Sequence, residues 1–145
     1  MTASPVTFRP ATAADADAVS ALLDELGYPT SPAAIPSRLA ALHSENGTVL
    51  LAVDISKSPL GMICLARHAV LHDSGPVAYI TALVVATQAR RRGVGRQMVQ
   101  AAIKWAAAHG CVRLSVTSAE RRTDAHVFYP ACGLRYTGRR FSTAV

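Results

Sequence analysis

A basic, glycine-containing turn at residues 90–95 has the residue types best suited to chemistry in this sequence. Three consecutive arginines, Arg90 to Arg92, are followed by Gly93 and Gly95. The apolar run over 79–86 before the turn predicts a buried strand, and apolar residues recur at helical spacing after it. The first N–H groups of such a helix lack intrahelical partners and attract anions. Because glycine has no Cβ, an anion can approach this backbone closely. The turn therefore predicts a phosphate-binding site.

The spacing alone leaves the ligand of this turn open. No lysine followed by serine or threonine is present, so the turn is not a P-loop, and Met98 stands where a dinucleotide-binding motif requires glycine. A Gly-x-Gly turn after a strand is equally compatible with phosphate binding and with a purely structural role. The three arginines are also compatible with a solvated basic surface, a localisation signal or a nucleic-acid-binding patch.

Length and composition indicate a single globular domain over residues 1–145. The chain has 145 residues, half of them hydrophobic, which is enough for one core and too few for two. The apolar stretches are too short and interrupted to cross a bilayer, and the first residues do not resemble a signal peptide. We therefore expect a soluble, cytoplasmic protein that has no membrane partner.

The basic residues, cysteines and histidines narrow the classes of ligand. The formal net charge is +6, but no aromatic-rich RNA motif or helix-turn-helix pattern accompanies it. A cofactor with several phosphates would account for the arginines at 90–96, so we expect no nucleic-acid partner.

Cys64, Cys111 and Cys132 lack a Cys-x-x-Cys spacing, which favours buried free thiols. The five histidines lack paired ligand spacing, and we expect no metal site.

Periodicity and turn residues predict a mixed α/β order of elements. The predicted strands cover 6–9, 48–53, 60–70, 77–86 and 112–117, with a last strand or hairpin after Leu134, and the predicted helices cover 12–27, 33–42, 94–109 and 122–132. The helix at 94–109 connects two strands that we expect to be parallel neighbours. The arginine-glycine turn then lies at the carboxyl end of a strand, where open sheets bind ligands.

Two motifs resemble those of the GNAT superfamily of N-acetyltransferases. The order Arg90-x-x-Gly93-x-Gly95, preceded by Leu83-Val84-Val85, resembles the family's acetyl-CoA-binding motif. The segment 122–134 resembles its later motif, Arg-x-x-Ala-His-x-Phe-Tyr-x-x-x-Gly-Phe, with leucine in place of the last phenylalanine. Arg91 and Thr87 replace the glycine and proline that are frequent in the family, and neither change removes a backbone donor.

The resemblance implies a fold, a co-substrate and a reaction. The implied GNAT fold is α/β, of the α+β type, with a single mixed, mostly antiparallel twisted sheet, a central parallel pair and about four flanking helices. The implied reaction moves acetyl from acetyl-CoA, without a metal, directly to a primary amine of a small molecule or peptide. The alternative is a non-catalytic acyl-CoA-binding module of the same fold. A homodimer is also plausible for this fold. The implied cofactor-binding residues are Leu83, Val84, Val85, Arg90, Arg91, Arg92, Gly93, Val94, Gly95 and Arg96.

The catalytic residue implied by the resemblance is Tyr129. A phenol with a pKa of about 10 is protonated at neutral pH, and it can protonate a departing thiolate whose conjugate thiol has a pKa of about 8.5. The alternative is that Tyr129, like Phe128, is a core aromatic of its helix. We expect His126 to pack or to cap within the same helix rather than to act as a base.

The general base and the acceptor are left open by the sequence. Many relatives have an acidic residue at the position of Thr81, and this chain does not. The candidate bases are His68, His72, Asp73, Glu120 and Asp124, and turn or cap roles account for each equally well. Tyr28, in the loop 27–32, either lines the acceptor pocket or packs within its loop.

Overall fold

The computed structural model describes residues 5–117, 123–138 and 140–145. Its strands are β1 (Thr7–Pro10), β2 (Thr48–Val53), β3 (Pro59–His68), β4 (Val77–Val85) and β5 (Arg113–Val116). Its α-helices are α1 (Ala16–Leu26), α2 (Ile35–Ser44), α3 (Val94–Ala108) and α4 (Thr123–Ala131). The strands form one sheet in the order β1-β2-β3-β4-β5, in which successive pairs from β1 to β4 are antiparallel and β4 and β5 are parallel. This mixed sheet with flanking helices confirms the predicted fold class.

The core is built on β2 and β3, whose side chains are buried on both faces of the sheet. Leu51 of β2 and Met62, Ile63 and Leu65 of β3 have no exposed side-chain surface. Met98 of α3 is equally buried, and it belongs to the same apolar cluster. Burying these side chains fixes the register of β3 and β4, and β4 in turn positions the candidate site.

The chain reaches α1 through a short 3-10 turn whose start is the predicted cap, Thr12. The carboxylate of Asp15 accepts a hydrogen bond from the Thr12 N–H at 2.8 Å, which is one half of a capping box. Arg9 of β1 donates to both oxygens of the same carboxylate, each at 2.8 Å. The start of α1 is therefore tied to the first strand.

A bulge in β4 separates its two halves. Cys64 pairs with Ala82 and Leu65 pairs with Ile80, so Thr81 is an extra residue in β4. The last pair between β4 and β5 joins Ile80 to Val116, and β4 continues to Val85 without a partner in β5. The carboxyl halves of these two strands therefore enclose a cleft instead of a continuous ladder.

The predicted strand after Leu134 is wrong for the described residues. Residues 134–138 and 140–145 contain no strand, and β5 ends the sheet. Tyr136 is 75% exposed and Phe141 is 88% exposed, so the alternation that predicted the strand buries no face against the core. The parallel pair consequently lies at the edge of the described sheet instead of its centre.

Most other elements match their predicted bounds within one to three residues. The predicted helix at 122–132 is α4, although residue 122 is outside the described part of the chain. In that described part, no helix has the length and apolar character needed to cross a membrane.

Candidate active site

A cleft of about 510 Å³ lies where β4 and β5 separate, and we call it the β4–β5 cleft. The end of α1 and the following loop contribute Leu26 and Tyr28 to its lining. Of the two alternatives for Tyr28, lining a pocket or packing within its loop, the structure therefore agrees with the first. Six of the predicted site residues line it: Leu83, Val85, Arg90, Arg91, Gly95 and Tyr129. Residues that are distant in sequence thus meet at the carboxyl end of β4.

The turn before α3 has the backbone geometry of an anion-binding site. Gly93 and Arg91 both have left-handed φ angles, 76° and 63°. The N–H of Gln97 donates to the carbonyl of Gly93 at 3.2 Å, which places the amides of 94–96 before the first bond of the helical ladder. In the described residues no side chain caps this helix. These amides therefore point out of the helix at its positive end.

The left-handed backbone at position 91 gives a physical reason for the glycine that relatives often have there. A side chain in this conformation is strained, whereas glycine adopts it without a steric penalty. Gly95 has a different constraint, because a Cβ built on it would lie 3.2 Å from Cζ of Phe128 and 3.6 Å from Cγ2 of Val85. Glycine at 95 thus keeps the floor of the cleft open.

Three of the arginine side chains of the turn bond to the protein itself. Arg90 Nε donates to the carbonyl of Val85 at 3.2 Å. Arg96 Nη2 donates to the carbonyl of Ala131 at 3.0 Å, which ties α3 to the end of α4. Arg92 Nη2 lies 3.9 Å from Oδ2 of Asp54, in the turn between β2 and β3.

The remaining predicted cofactor-binding residues have buried side chains or lie outside the cleft lining. Val84 and Val94 are 4% and 1% exposed, so their side chains belong to the core and only their backbone is available to a ligand. Gly93 has no side chain to contribute, and it supplies the left-handed turn that begins α3. The geometry therefore favours backbone amides over arginine side chains as hydrogen-bond donors to a ligand in the β4–β5 cleft.

Glu25, at the end of α1, makes a contact beside the cleft that the sequence did not indicate. Its carboxylate accepts hydrogen bonds from both the N–H (2.8 Å) and the hydroxyl of Thr87. The Thr87 hydroxyl and N–H, with the charge of Arg90, lower the pKa of Glu25. The available clue was Thr87 itself, because the proline frequent at this position has no N–H to donate.

Tyr129 lies on the face of α4 that lines the cleft, beside Phe128. The two rings meet edge to face, with centroids 5.1 Å apart. Phe128 packs toward Gly95, which agrees with its predicted packing role, and Tyr129 lies between this cleft and a second one.

The candidate bases that the structure describes fall into two groups, at the amino end of β4 and in the β4–β5 cleft. Asp73 accepts from Arg113 Nη2 at 2.5 Å and lies 3.8 Å from Nε2 of His72. His68 contacts the ring of Tyr79, with centroids 5.6 Å apart. These three lie at the amino end of β4, away from the cleft, whereas Asp124 lines it. The fifth candidate, Glu120, falls in the segment 118–122, which the structure does not describe.

The cysteine thiols take no part in this cleft. Burial raises the pKa of Cys64 to about 12 and raises that of Cys132. Cys64, Cys111 and Cys132 are free thiols, as expected, and each is partly buried. Over the described ranges, no group of three potential metal ligands comes together.

Comparison with family models now identifies the family. The model of the GNAT family of acetyltransferases matches residues 16–134. This range includes the bulged strand β4, Tyr129 and the amides of residues 91–96, which we call the amide cradle. The chain belongs to the GNAT acetyltransferase family. This membership confirms the resemblance drawn from the two motifs, and it indicates acyl transfer with acetyl-CoA as the usual donor of the family.

Solved structures with the same GNAT fold align over nearly the whole chain. A transcriptional regulator from Bacillus halodurans C-125 has a TM-score of 0.85 at 24% identity, covering 97% of this chain and 100% of that one. A putative acetyltransferase from Agrobacterium tumefaciens str. C58 has a TM-score of 0.85 at 22% identity, covering 96% and 99%. The aminoglycoside antibiotic 6'-N-acetyltransferase AAC(6')-Ih from Acinetobacter baumannii has a TM-score of 0.80 at 20% identity, covering 97% and 99%. No curated protein sequence matches the chain. At these identities the similarities establish the fold.

Proposed function

We propose that this protein transfers acetyl from acetyl-CoA directly to a primary amine of a small molecule or peptide. The observation that carries the proposal is the meeting of the amide cradle of α3 and the phenol of Tyr129 in one cleft. A phosphate-bearing thioester needs an anion site at one end and a proton donor for its leaving group at the other.

The residues of the cleft fit coenzyme A. The amides of residues 91–96 would hold the pyrophosphate, since they lie at the open, positive end of α3. Arg91 lines the cleft and would add an exposed positive charge. The half of β4 beyond Ile80 has no partner in the β5 ladder, so the backbone of Leu83 to Val85 would bond to the pantetheine arm as a neighbouring strand would. Acetyl-CoA supplies the activated acetyl group when it is bound.

In the proposed reaction, the neutral amine attacks the thioester carbonyl and a tetrahedral intermediate forms. Its C–S bond then breaks, and the departing thiolate takes the proton of the Tyr129 hydroxyl. Backbone donors of the bulged strand would stabilise the oxyanion before that step. The attacking nitrogen, which carries an extra proton in the intermediate, releases that proton to solvent as the amide forms. The phenolate regains a proton from solvent, so the enzyme returns to its starting state.

The amine must lose a proton before it attacks. At pH 7 this costs roughly 4–5 kcal/mol for a lysine-like amine with a pKa of about 10.4. Of the candidate bases that the structure describes, Asp124 is the one that lines the cleft. We assign it the role of accepting this proton, directly or through water, or of holding the ammonium group before deprotonation.

A non-catalytic acyl-CoA-binding module is the second candidate. The observation that favours it is the bulge residue Thr81, whose hydroxyl donates to the carbonyl of Cys64 at 3.4 Å where many relatives have a carboxylate. Incubation with acetyl-CoA and a panel of amines, followed by measurement of thiol release, distinguishes the two. Acetyl-CoA binding by calorimetry without thiol release for any amine would favour the module.

A further inference from the structure

A second cleft, of about 990 Å³, opens on the other side of β5, and we call it the tail cleft. Its walls are the outer edge of β5, one face of α4 and the chain after Gly133. Val116, Thr117, Ala125, Tyr129 and Arg140 line both clefts, so the two meet at the proposed catalytic phenol. A molecule held in the tail cleft therefore reaches the thioester end of the β4–β5 cleft.

The charged side chains that line the tail cleft are arginines, and one histidine accompanies them. They are Arg113, Arg135, Arg140 and His126, and no carboxylate lines the cleft in the described residues. The charge of Arg113 is balanced by Asp73, whose Oδ2 accepts a hydrogen bond from Arg113 Nη2 at 2.5 Å. The positive charge of the cleft lining therefore comes from Arg135 and Arg140.

The segment that follows α4, residues 133–145, also has a positive net charge. Residues 133–145 contain three arginines and neither aspartate nor glutamate. The part of the chain that follows α4 therefore has a positive net charge.

The uncharged lining of the tail cleft is partly apolar and partly polar, with Leu114, Val116, Pro130 and Leu134 beside five side chains that carry hydroxyl groups. Those five are Ser115, Thr117, Tyr129, Tyr136 and Thr137. β5 is the last strand of the described sheet, so its outer backbone groups also face this cleft. Two guanidinium groups with nearby hydroxyls and amides form a donor set suited to carboxylate or phosphate oxygens.

We infer that the tail cleft is the acceptor site and that the acceptor is a primary amine bearing a carboxylate or phosphate group. Arg135 and Arg140 bind the anionic group, and the amine points toward Tyr129 and Asp124. This inference rests on the proposed acetyl transfer. It separates the protein from the aminoglycoside acetyltransferases among its structural neighbours, because a polycationic acceptor would be repelled by this lining.

The test compares amines that differ in one charged group. Acetyl transfer to β-alanine and β-alaninamide, to O-phosphoethanolamine and ethanolamine, and to spermidine is measured by thiol release at saturating acetyl-CoA. We expect at least one anionic amine to exceed its neutral partner about tenfold in kcat/KM, as one charge-assisted contact provides. The preferred pair identifies the group as carboxylate or phosphate.

Variants connect this preference to the tail cleft. Arg135→Gln is expected to raise the KM for the anionic amine about tenfold and to leave the KM for acetyl-CoA unchanged, while Arg135→Lys restores part of the affinity. Arg38→Gln, on the exposed side of α2, is the control for a general loss of positive charge. An unchanged KM in Arg135→Gln would overturn the inference.

Failure of the inference and failure of the proposed function give different results. Equal kcat/KM for each matched pair, or faster transfer to spermidine, overturns the inference and leaves acetyl transfer intact. If no amine is acetylated, amide chemical shifts are recorded with O-phosphoethanolamine and coenzyme A present. Shifts at 113–117 that Arg135→Gln abolishes would then support the anion site and refute the proposed function, whereas unshifted amides would refute both.

Discussion

The carboxylate of Glu25 accepts hydrogen bonds from both the backbone N–H and the hydroxyl of Thr87, 62 residues later in the chain. This contact joins the end of α1 to the turn that follows β4. Leu26 lines the cleft directly after Glu25, and Arg90 lines it three residues after Thr87. The contact therefore holds the α1 side of the cleft against the turn proposed to bind the cofactor.

Replacing Glu25 with glutamine removes the negative charge and keeps the size of the side chain. We therefore expect the hydrogen bonds to Thr87 to become weaker. Because Glu25 is exposed, the loss in the free energy of unfolding should be no more than about 1 kcal/mol. Acetyl-CoA affinity should fall several-fold, since the turn is less well fixed. Calorimetry and urea unfolding measure the two effects. Asp24→Asn, at the exposed neighbouring position, is the matched control.

The same contact is expected to depend on pH. Because the pKa of Glu25 is lowered in the folded protein, its contribution to stability is present above the unfolded pKa of about 4.3 and is lost as the pH falls through the folded value. The stability difference between the wild type and Glu25→Gln should thus narrow below pH 4. A difference that is constant from pH 7 to pH 3 would contradict this assignment.

Tyr129→Phe removes the proposed acid and keeps the ring. We expect kcat for acetyl transfer to fall by about 10²-fold or more, the usual range for general acid catalysis, and the KM for acetyl-CoA to change little. Stopped-flow thiol release with a responsive amine provides the measurement. Phe128→Leu, at the neighbouring ring, should mainly reduce stability. Unchanged kcat in Tyr129→Phe would make the tyrosine a packing residue.

The elements around the cleft could be predicted because strong periodicity specifies them locally. β4 and α3 lie within one residue of the predicted 77–86 and 94–109, since one is a continuous apolar run and the other is flanked by glycine. The strand predicted after Leu134 failed because a strand depends on a partner and a buried face, and Tyr136 has neither the burial nor a strand partner in the described ladder.

The backbone features of the site could be predicted from the sequence, whereas the contacts of its side chains could be predicted less well. Gly93 and Gly95 act through local geometry, which the sequence encodes directly. Nothing local indicated that Arg96 would bond to the end of α4, or that Glu25 would reach Thr87. Such contacts depend on the packing of distant elements.

Asp124→Asn tests the assignment of the proton acceptor. The amide keeps the size of the side chain and cannot accept a proton, so kcat/KM should fall at neutral pH and recover partly as the pH approaches that of a free amine. The pH profile of kcat/KM between 6 and 10 is the measurement. Asp17→Asn on α1 is the control carboxylate. Parallel profiles for the wild type and Asp124→Asn would assign the deprotonation elsewhere.

Gly95→Ala tests the proposed contact between the cradle and the cofactor. The new Cβ would lie 3.2 Å from Phe128 Cζ, closer than ordinary contact, while alanine is favoured in a helix by up to about 1 kcal/mol. We therefore expect a small net change in stability and a five- to tenfold weaker affinity for acetyl-CoA. In Gly95→Ala/Phe128→Leu the crowding is relieved. The affinity for acetyl-CoA should stay weak in this double variant, and recovery of the affinity would show that the cofactor does not approach Gly95.

Arg9→Gln is expected to lower stability in a pH-dependent way at the start of α1. Hydrogen bonds from Arg9 are the main cause that lowers the pKa of Asp15 to about 2. A lowered carboxyl pKa adds stability above the unfolded value of about 3.9, and this stability is lost as the pH falls toward the folded value. Because solvent screens this exposed pair, the loss in Arg9→Gln at pH 7 should be small.

Urea unfolding of the wild type and Arg9→Gln from pH 7 down to pH 3 measures this difference. The two proteins should converge as the carboxyl group of Asp15 is protonated, because the bidentate pair then loses its charge. Arg38→Gln, which removes an exposed arginine from α2, should show no such convergence. A difference that stays constant from pH 7 to pH 3 would mean that Arg9 stabilises the fold by packing, and that its charge contributes nothing through Asp15.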